Sequence, residues 1–396
     1  MNSRIILLLI IGVDALILFF KASELSISYY EASLLYDGFS FLQLLINSSL
    51  LLFGENDFAL RFPMIVLHSL SAMLLYAISS NYLKNERSRL WLVLIFILLP
   101  GVISSAIVVN SAGLVIFGLL LFIYLHVNNF HKSIYPLLVF YLIIDGGFLY
   151  LFLSLSIYAL YTKQKKTFIF SIVLSIISMY IYGLSVHGSP KGHFLDAIGV
   201  YAAIFSPIVF IYLFYVLYRR YLTKEIDILW FIASTALIIS LLLSFRQKVD
   251  LELFAPYLIV ALPLLAQTFY RSYRVRLKQH RKNYRLAFVI SLIFLFGNSF
   301  IVLFNQTLYL VLENPKKHFA YKFHIAKDIA RELKSKGIEC VKTSNRMSNR
   351  LKFYGIKECD DYKLVENIEN NTEADVTVSY KNRILYFANV TNINNK

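Results

Sequence analysis

The sequence predicts a polytopic α-helical membrane protein with a small α/β domain toward its C-terminal end. Three observations carry this reading. Of 396 residues, 58% are apolar and only 16% are charged, where soluble domains average about 45–50% and about 25%; the mean hydropathy is +0.62. Apolar stretches recur through residues 1–304 and stop after about residue 305, many of them near the roughly 17–25 residues that a bilayer crossing takes. The net charge of +15 is concentrated in short loops between those stretches, where basic residues set orientation. That placement excludes a soluble enzyme and leaves no reason to expect nucleic acid as a partner. Two cysteines exclude a disulfide-dense scaffold or a cysteine-rich metal site.

The first apolar stretch, 5–20, follows Arg4 and leads into bulky and polar residues, Lys21 to Tyr30. No small-residue cleavage site follows it, so it reads as a retained anchor and not a signal peptide. Further spans are expected near 62–83, 90–109, 113–127, 168–186, 200–218, 228–245, 254–270 and 286–304, for a bundle of about 10–12 in all. The loops KNERSR (84–89), TKQKK (162–166), RRYLTKE (219–225) and RSYRVRLKQHRKNYR (271–285) are basic, which places them in the cytoplasm. On this map 18 of the 23 Lys/Arg in residues 1–304 are cytoplasmic, the exceptions being Lys21, Arg61, Lys191, Arg246 and Lys248.

The stretch 134–160 enters and leaves on the same side of this map, and Asp145-Gly146-Gly147 interrupts it. Two half-helices are expected, with the break inside the bundle, because irregular backbone at membrane depth survives only where protein or water lines it. Asp145 then either lines a polar cavity or bonds to the broken backbone.

After residue 305, the stretch 318–337 has helical apolar spacing and ends at Gly337, a usual helix stop. IECVKT, DYKLV, ADVTVSY and RILYFANV read as short strands. Residues 1–304 thus form the transmembrane domain, and 305–396 a small outer-side α/β domain containing Cys340 and Cys359. An oxidising compartment permits their pairing, and the sequence leaves it open.

The first outer loop, 21–61, reads as amphipathic helices lying on the outer membrane surface. It contains Tyr30-Glu31-Ala32 and then Leu52-Phe53-Gly54-Glu55-Asn56-Asp57-Phe58-Ala59-Leu60-Arg61-Phe62-Pro63. These two elements resemble the acidic pair and the LFG-x-x-x-F-x-x-R-x-P element of the GT-C membrane glycosyltransferases, in the branch of the aminoarabinose lipid A transferases and protein mannosyltransferases. Residues 190–210 and 244–266 resemble that family's later outer loop and its basic turn before a Pro-punctuated helix. The chain departs from the pattern at Tyr30, in YDGFSFLQLL (36–45), which lacks a basic residue, and at Asn110-Ser111.

The resemblance implies a GT-C-like bundle in the bacterial cytoplasmic membrane, with the C-terminal domain periplasmic. It implies transfer of a sugar from a polyprenyl-phosphate donor to lipid A or another envelope glycan at the outer face. A carboxylate would serve the acceptor hydroxyl, and cations would hold the phosphate as charge develops on it. Glu31 and Asp37 are the candidate carboxylates; Arg246 and Lys248 are the candidate phosphate clamp, with Lys191, His193 and Arg61 as helpers. The alternative roles are structural: Glu31 capping a helix, Arg61 pairing with Glu55 or Asp57, and Arg246 and Lys248 pairing with Asp250 and Glu252. No cofactor is required, and His187 with His193, lacking a third ligand, assign no metal. Two other readings keep the fold: a lipopolysaccharide-modifying hydrolase, as one subunit of a two-part Kdo hydrolase with a membrane-protein partner, or a non-enzymatic scaffold in envelope-glycan assembly. Membrane lipids are partners in every case.

Overall fold

The computed structural model describes residues 3–183, 192–366, 375–381 and 383–392. The chain is mostly helical, and its contacts divide it into two compact units. Unit 1 comprises Met1–Leu18 and Met64–Val302; unit 2 comprises Phe19–Pro63 and Leu303–Lys396. The first outer loop, grouped by sequence with the apolar part, therefore packs with the C-terminal segment.

The helices in chain order begin with α1 (Ser3–Glu24), α2 (Tyr29–Tyr36), α3 (Phe41–Phe53) and α4 (Asp57–Ser79). Then come α5 (Glu86–Ile97), α6 (Pro100–Ile107), α7 (Ser111–Val127), α8 (His131–Ile144), α9 (Leu149–Tyr161) and α10 (Lys165–Tyr182). Next follow α11 (Phe194–Phe205), α12 (Pro207–Thr223), α13 (Ile228–Ser244), α14 (Ala255–Ile259), α15 (Leu262–Val275) and α16 (Arg281–Leu303). Polar caps start many of them, satisfying backbone N–H groups that a first turn leaves unpaired. Asn110 accepts from Gly113 N at 3.2 Å to open α7, and Asp227 accepts from Trp230 N at 3.0 Å to open α13.

Among the described residues four helices are long and apolar enough to cross a membrane: α1, α4, α10, and α16 with the turn before it. The number rises to eight if each bent pair (α2 with α3, α5 with α6, α11 with α12, and 251–259 with α15) counts as one. The remaining apolar helices, α7, α8, α9 and α13, are shorter. Helices of full length thus fall below the expected 10–12 crossings, because Pro100, Pro207 and Pro263, each in the first turn of a helix, start new segments where one long helix was anticipated. The long helices expose large apolar side chains, among them Leu16 at 71% and Tyr180 at 91%.

The break in 134–160 occurs where expected. α8 ends at Ile144, Asp145 is extended, and a 3-10 turn, Gly146–Phe148, leads into α9. Asp145 Oδ1 accepts from Gly147 N at 2.7 Å. The freed carbonyls go to hydroxyls: Tyr182 donates to Leu142 O at 3.1 Å, and Tyr257 donates to Gly147 O while accepting from Leu151 N. Of the two expectations for Asp145, bonding to the broken backbone describes it. A Cβ on Gly146 would lie 2.8 Å from the Tyr182 ring, which accounts for the glycine there.

In unit 2, α17 (Ala326–Ser335) and α18 (Asn345–Phe353) pack with a three-stranded antiparallel sheet in the order β1-β3-β2. β1 is Tyr362–Glu366, β2 is Val376–Tyr380 and β3 is Arg383–Asn392. Val378 faces Tyr386 but Ser379 faces Ile384, so Leu385 is an extra residue. That bulge resets the alternation and explains why Leu385 and Tyr386 are both buried. IECVKT makes only isolated bridges, Cys340 to Lys357 and Lys342 to Lys363.

Cys340 and Cys359 are joined, with Cα atoms 5.5 Å apart and 19 positions apart in sequence. A loop of this length constrains the unfolded chain by about 3 kcal/mol. Replacing both cysteines by serine is expected to lower the thermal midpoint of the full chain, and dithiothreitol to lower that of the wild type alone. Equal sensitivity of both proteins to the reductant would contradict the assignment.

Candidate functional site

The loop between α1 and α2, Leu25 to Ser28, is fully buried, so each of its polar backbone groups needs a partner. Arg61, itself 0% exposed, reaches across from α4. Its guanidinium donates to Ala22 O (2.9 Å), Leu25 O (2.8 Å), Ser26 O (3.0 Å) and the Glu31 carboxylate (3.1 Å). Ile27 O accepts from Arg350 Nε at 3.0 Å, and Ile27 N donates to the Tyr354 hydroxyl at 2.8 Å. Ser26 N donates to Phe323 O at 2.8 Å. Two buried arginines, one from each part of unit 2, thereby hold three consecutive residues, Leu25 to Ile27.

Glu31 closes the same network from α2. Ser28 Oγ accepts from Glu31 N at 3.2 Å, and Glu31 Oε2 accepts from Ser28 N at 2.8 Å, a reciprocal capping box. The carboxylate is 0% exposed, so as placed it meets no molecule from outside. Asp57 collects the remaining charges: Tyr354 donates to it at 2.6 Å, Lys327 Nζ lies at 2.8 Å and Arg61 at 3.9 Å. Lys327 also donates to Ser23 O at 2.9 Å.

Beside this network lies a polar cleft of about 250 Å³ lined by Glu24, Ser26, Gln306, His324, Lys327, Asp328 and Arg331. His324 and its neighbour His318 are buried. His324 Nε2 stands 2.8 Å from Asn305 Oδ1, and its Nδ1 stands 3.3 Å from Gln306 Nε2, a donor. That pairing suits only the neutral ring. Burial, then His318 and Arg61, bring its pKa down from 6.5 to about 4. Between those values the unfolded chain binds a proton that the folded chain does not, so stability falls as pH is lowered through the window. The loss is about 3 kcal/mol once pH passes below the folded value. His324→Gln should flatten the acid limb of a stability-versus-pH curve, and an unchanged limb would contradict the assignment.

The other sequence candidates are dispersed. Asp37 ends α2 and is exposed, with Asn349 Nδ2 at 3.3 Å. In unit 1, Arg246 and Lys248 lie in the turn after α13, both exposed. His193 precedes α11, with its Nδ1 3.2 Å from Asp196. Lys191 and His187 lie outside the described residues. Asn110, at a position where the resembling family carries an acid, caps α7. Among the described residues one group has the spacing of metal ligands, Cys340, Cys359 and Asp361, and its two sulfurs are joined to each other.

The structure thus brings Glu31 and Arg61 into one ion pair and adds Arg350, Tyr354, Lys327 and His324, which the sequence reading did not single out. A signal for two of these was present: Met347, Arg350, Leu351 and Tyr354 recur at helical spacing in α18 and the turn after it. Comparison with family models and with curated proteins finds no match to the chain.

Proposed function

We propose that the chain is a multi-pass protein of the bacterial cytoplasmic membrane that transfers a sugar from a polyprenyl-phosphate donor to a lipid or glycan acceptor at the outer face. The observation that carries the reading is the buried Glu31–Arg61 pair. It gives the two motif elements that resemble GT-C transferases a shared physical purpose, the folding of the first outer loop. Exposed apolar side chains on the long helices and the disulfide of unit 2 support insertion in a membrane that faces an oxidising compartment.

The roles divide by burial. Glu31 and Arg61 are positioning residues, since neither has access to solvent. Asp37, exposed where α2 ends, is the carboxylate that takes the proton from the acceptor hydroxyl. Arg246 and Lys248 bind the donor phosphate. Undecaprenyl phosphate should therefore raise the thermal midpoint of the purified chain, with its affinity weakened roughly tenfold to a hundredfold in Arg246→Ala. Identical affinity in the variant would remove Arg246 from the site. The scaffold reading is favoured by one observation, the complete enclosure of Glu31, and it predicts no turnover at all.

A further inference from the structure

Unit 1 holds a cavity of about 490 Å³ between α5, α12, α15 and α16, within the range of small-molecule sites. Its walls are almost wholly apolar. Trp91, Phe269 and Phe288 form one packed face, with ring centres 5.8 Å apart for Trp91–Phe288 and 5.4 Å for Phe269–Phe288. The Tyr212 hydroxyl is buried in the wall without a hydrogen-bond partner among the described residues.

Three further lining residues, Tyr270, Tyr273 and Tyr284, carry a basic rim. Arg276 stacks on Tyr284 at 4.2 Å, Arg274 on Tyr270 at 5.7 Å, and Arg281 and Arg285 on Tyr273 at 5.6 and 5.8 Å. Arg285 Nε also donates to the Tyr273 hydroxyl at 2.9 Å. Segment 271–285 has seven Lys/Arg and no acid. Its one carboxylate partner among the described residues is Glu225, bound to Arg271, so the four stacked arginines are left uncompensated. Arg281 donates to Arg276 O at 3.0 Å and to Arg274 O at 3.1 Å and so braces the segment; stacking engages only the guanidinium faces of Arg274 and Arg276, whose in-plane N–H donors suit phosphate oxygens.

We propose that this groove binds an anionic phospholipid, with one acyl chain along the aromatic wall and the phosphate held by the arginines at the rim. An apolar slot ending in unpaired cations matches the two halves of such a lipid, and basic pockets between membrane helices take these headgroups. A peptide partner fits less well, since the apolar walls offer little to a peptide backbone that must be hydrogen-bonded when buried. The proposal needs only the membrane part of the reading above, and it stands if sugar transfer is absent.

Trp91 reports on the groove, and the chain has one other tryptophan, Trp230. The test uses the full chain carrying Trp230→Phe in neutral detergent, titrated with phosphatidylglycerol brominated on its acyl chains. Trp91 fluorescence should be quenched saturably, at a concentration at least tenfold lower than with brominated phosphatidylcholine. Glycerol phosphate, which lacks the chain, should not relieve the quenching. Arg276→Ala with Arg285→Ala should erase the preference while leaving undecaprenyl phosphate binding unchanged. If that double variant does not fold, raising the salt concentration should erase the preference in its parent. Equal quenching by the two lipids, or a preference that survives both the substitutions and high salt, would overturn the proposal.

Discussion

Arg61→Met is expected to cost unit 2 about 3–5 kcal/mol or more, the range for breaking a buried ion pair by removing one partner. Methionine fills most of the space but leaves Glu31 charged and enclosed, and strips the carbonyls of Ala22, Leu25 and Ser26 of a donor. Arg61→Lys should rescue little, because one ammonium has no planar fork to reach four acceptors at once. Glu31→Gln should cost less, since an amide still accepts from Ser28 N and Arg61 keeps its backbone partners. Thermal unfolding of the purified chain should show a drop on the order of 10 °C for Arg61→Met, with early proteolysis between α1 and α2. A midpoint within a degree or two of wild type would mean that Arg61 is not what holds the loop.

Asp37→Asn carries the largest expected effect on activity. Asparagine keeps the size of the side chain and its capacity to end α2, but it cannot take a proton. Loss of general-base assistance lowers rates by about 10²–10⁴. The residue is exposed, so stability should stay within about 0.5 kcal/mol of wild type. Sugar transfer in membranes from a strain expressing the variant should fall by that factor with protein levels unchanged. Full activity would remove Asp37 from the chemistry.

Local signals in the sequence were readable where the structure is local. Ser28 and Glu31 stand three apart, and they form the capping box. Asp145-Gly146-Gly147 marks the break, because an aspartate caps its own turn, Gly146 sits against the Tyr182 ring and Gly147 against Asp145 and Val115. The strand segments after residue 360 alternate and pair as strands. What the sequence hid depends on contacts across long separations. The partner of Arg61 is Glu31, 30 residues away, as well as the nearby Asp57. Arg350 reaches Ile27 across 323 residues, and no periodicity reports such a contact. α18 was missed because NRMSNRLKF is mostly polar, although its buried stripe is a single face. In α3, Leu42 and Ile46 are buried while Leu44, Leu51 and Leu52 are exposed, as are the polar Asn47 and Ser48.

The central claim is sugar transfer to an envelope glycan, and mass spectrometry of lipid A and envelope glycolipids from a deletion strain tests it most directly. The account predicts that one glycan species loses a defined sugar mass in the deletion strain, that wild-type chain restores it, and that Asp37→Asn, expressed at the same level, does not. An unchanged glycan profile in the deletion strain would contradict it, whereas full restoration by Asp37→Asn would remove only Asp37 from the chemistry.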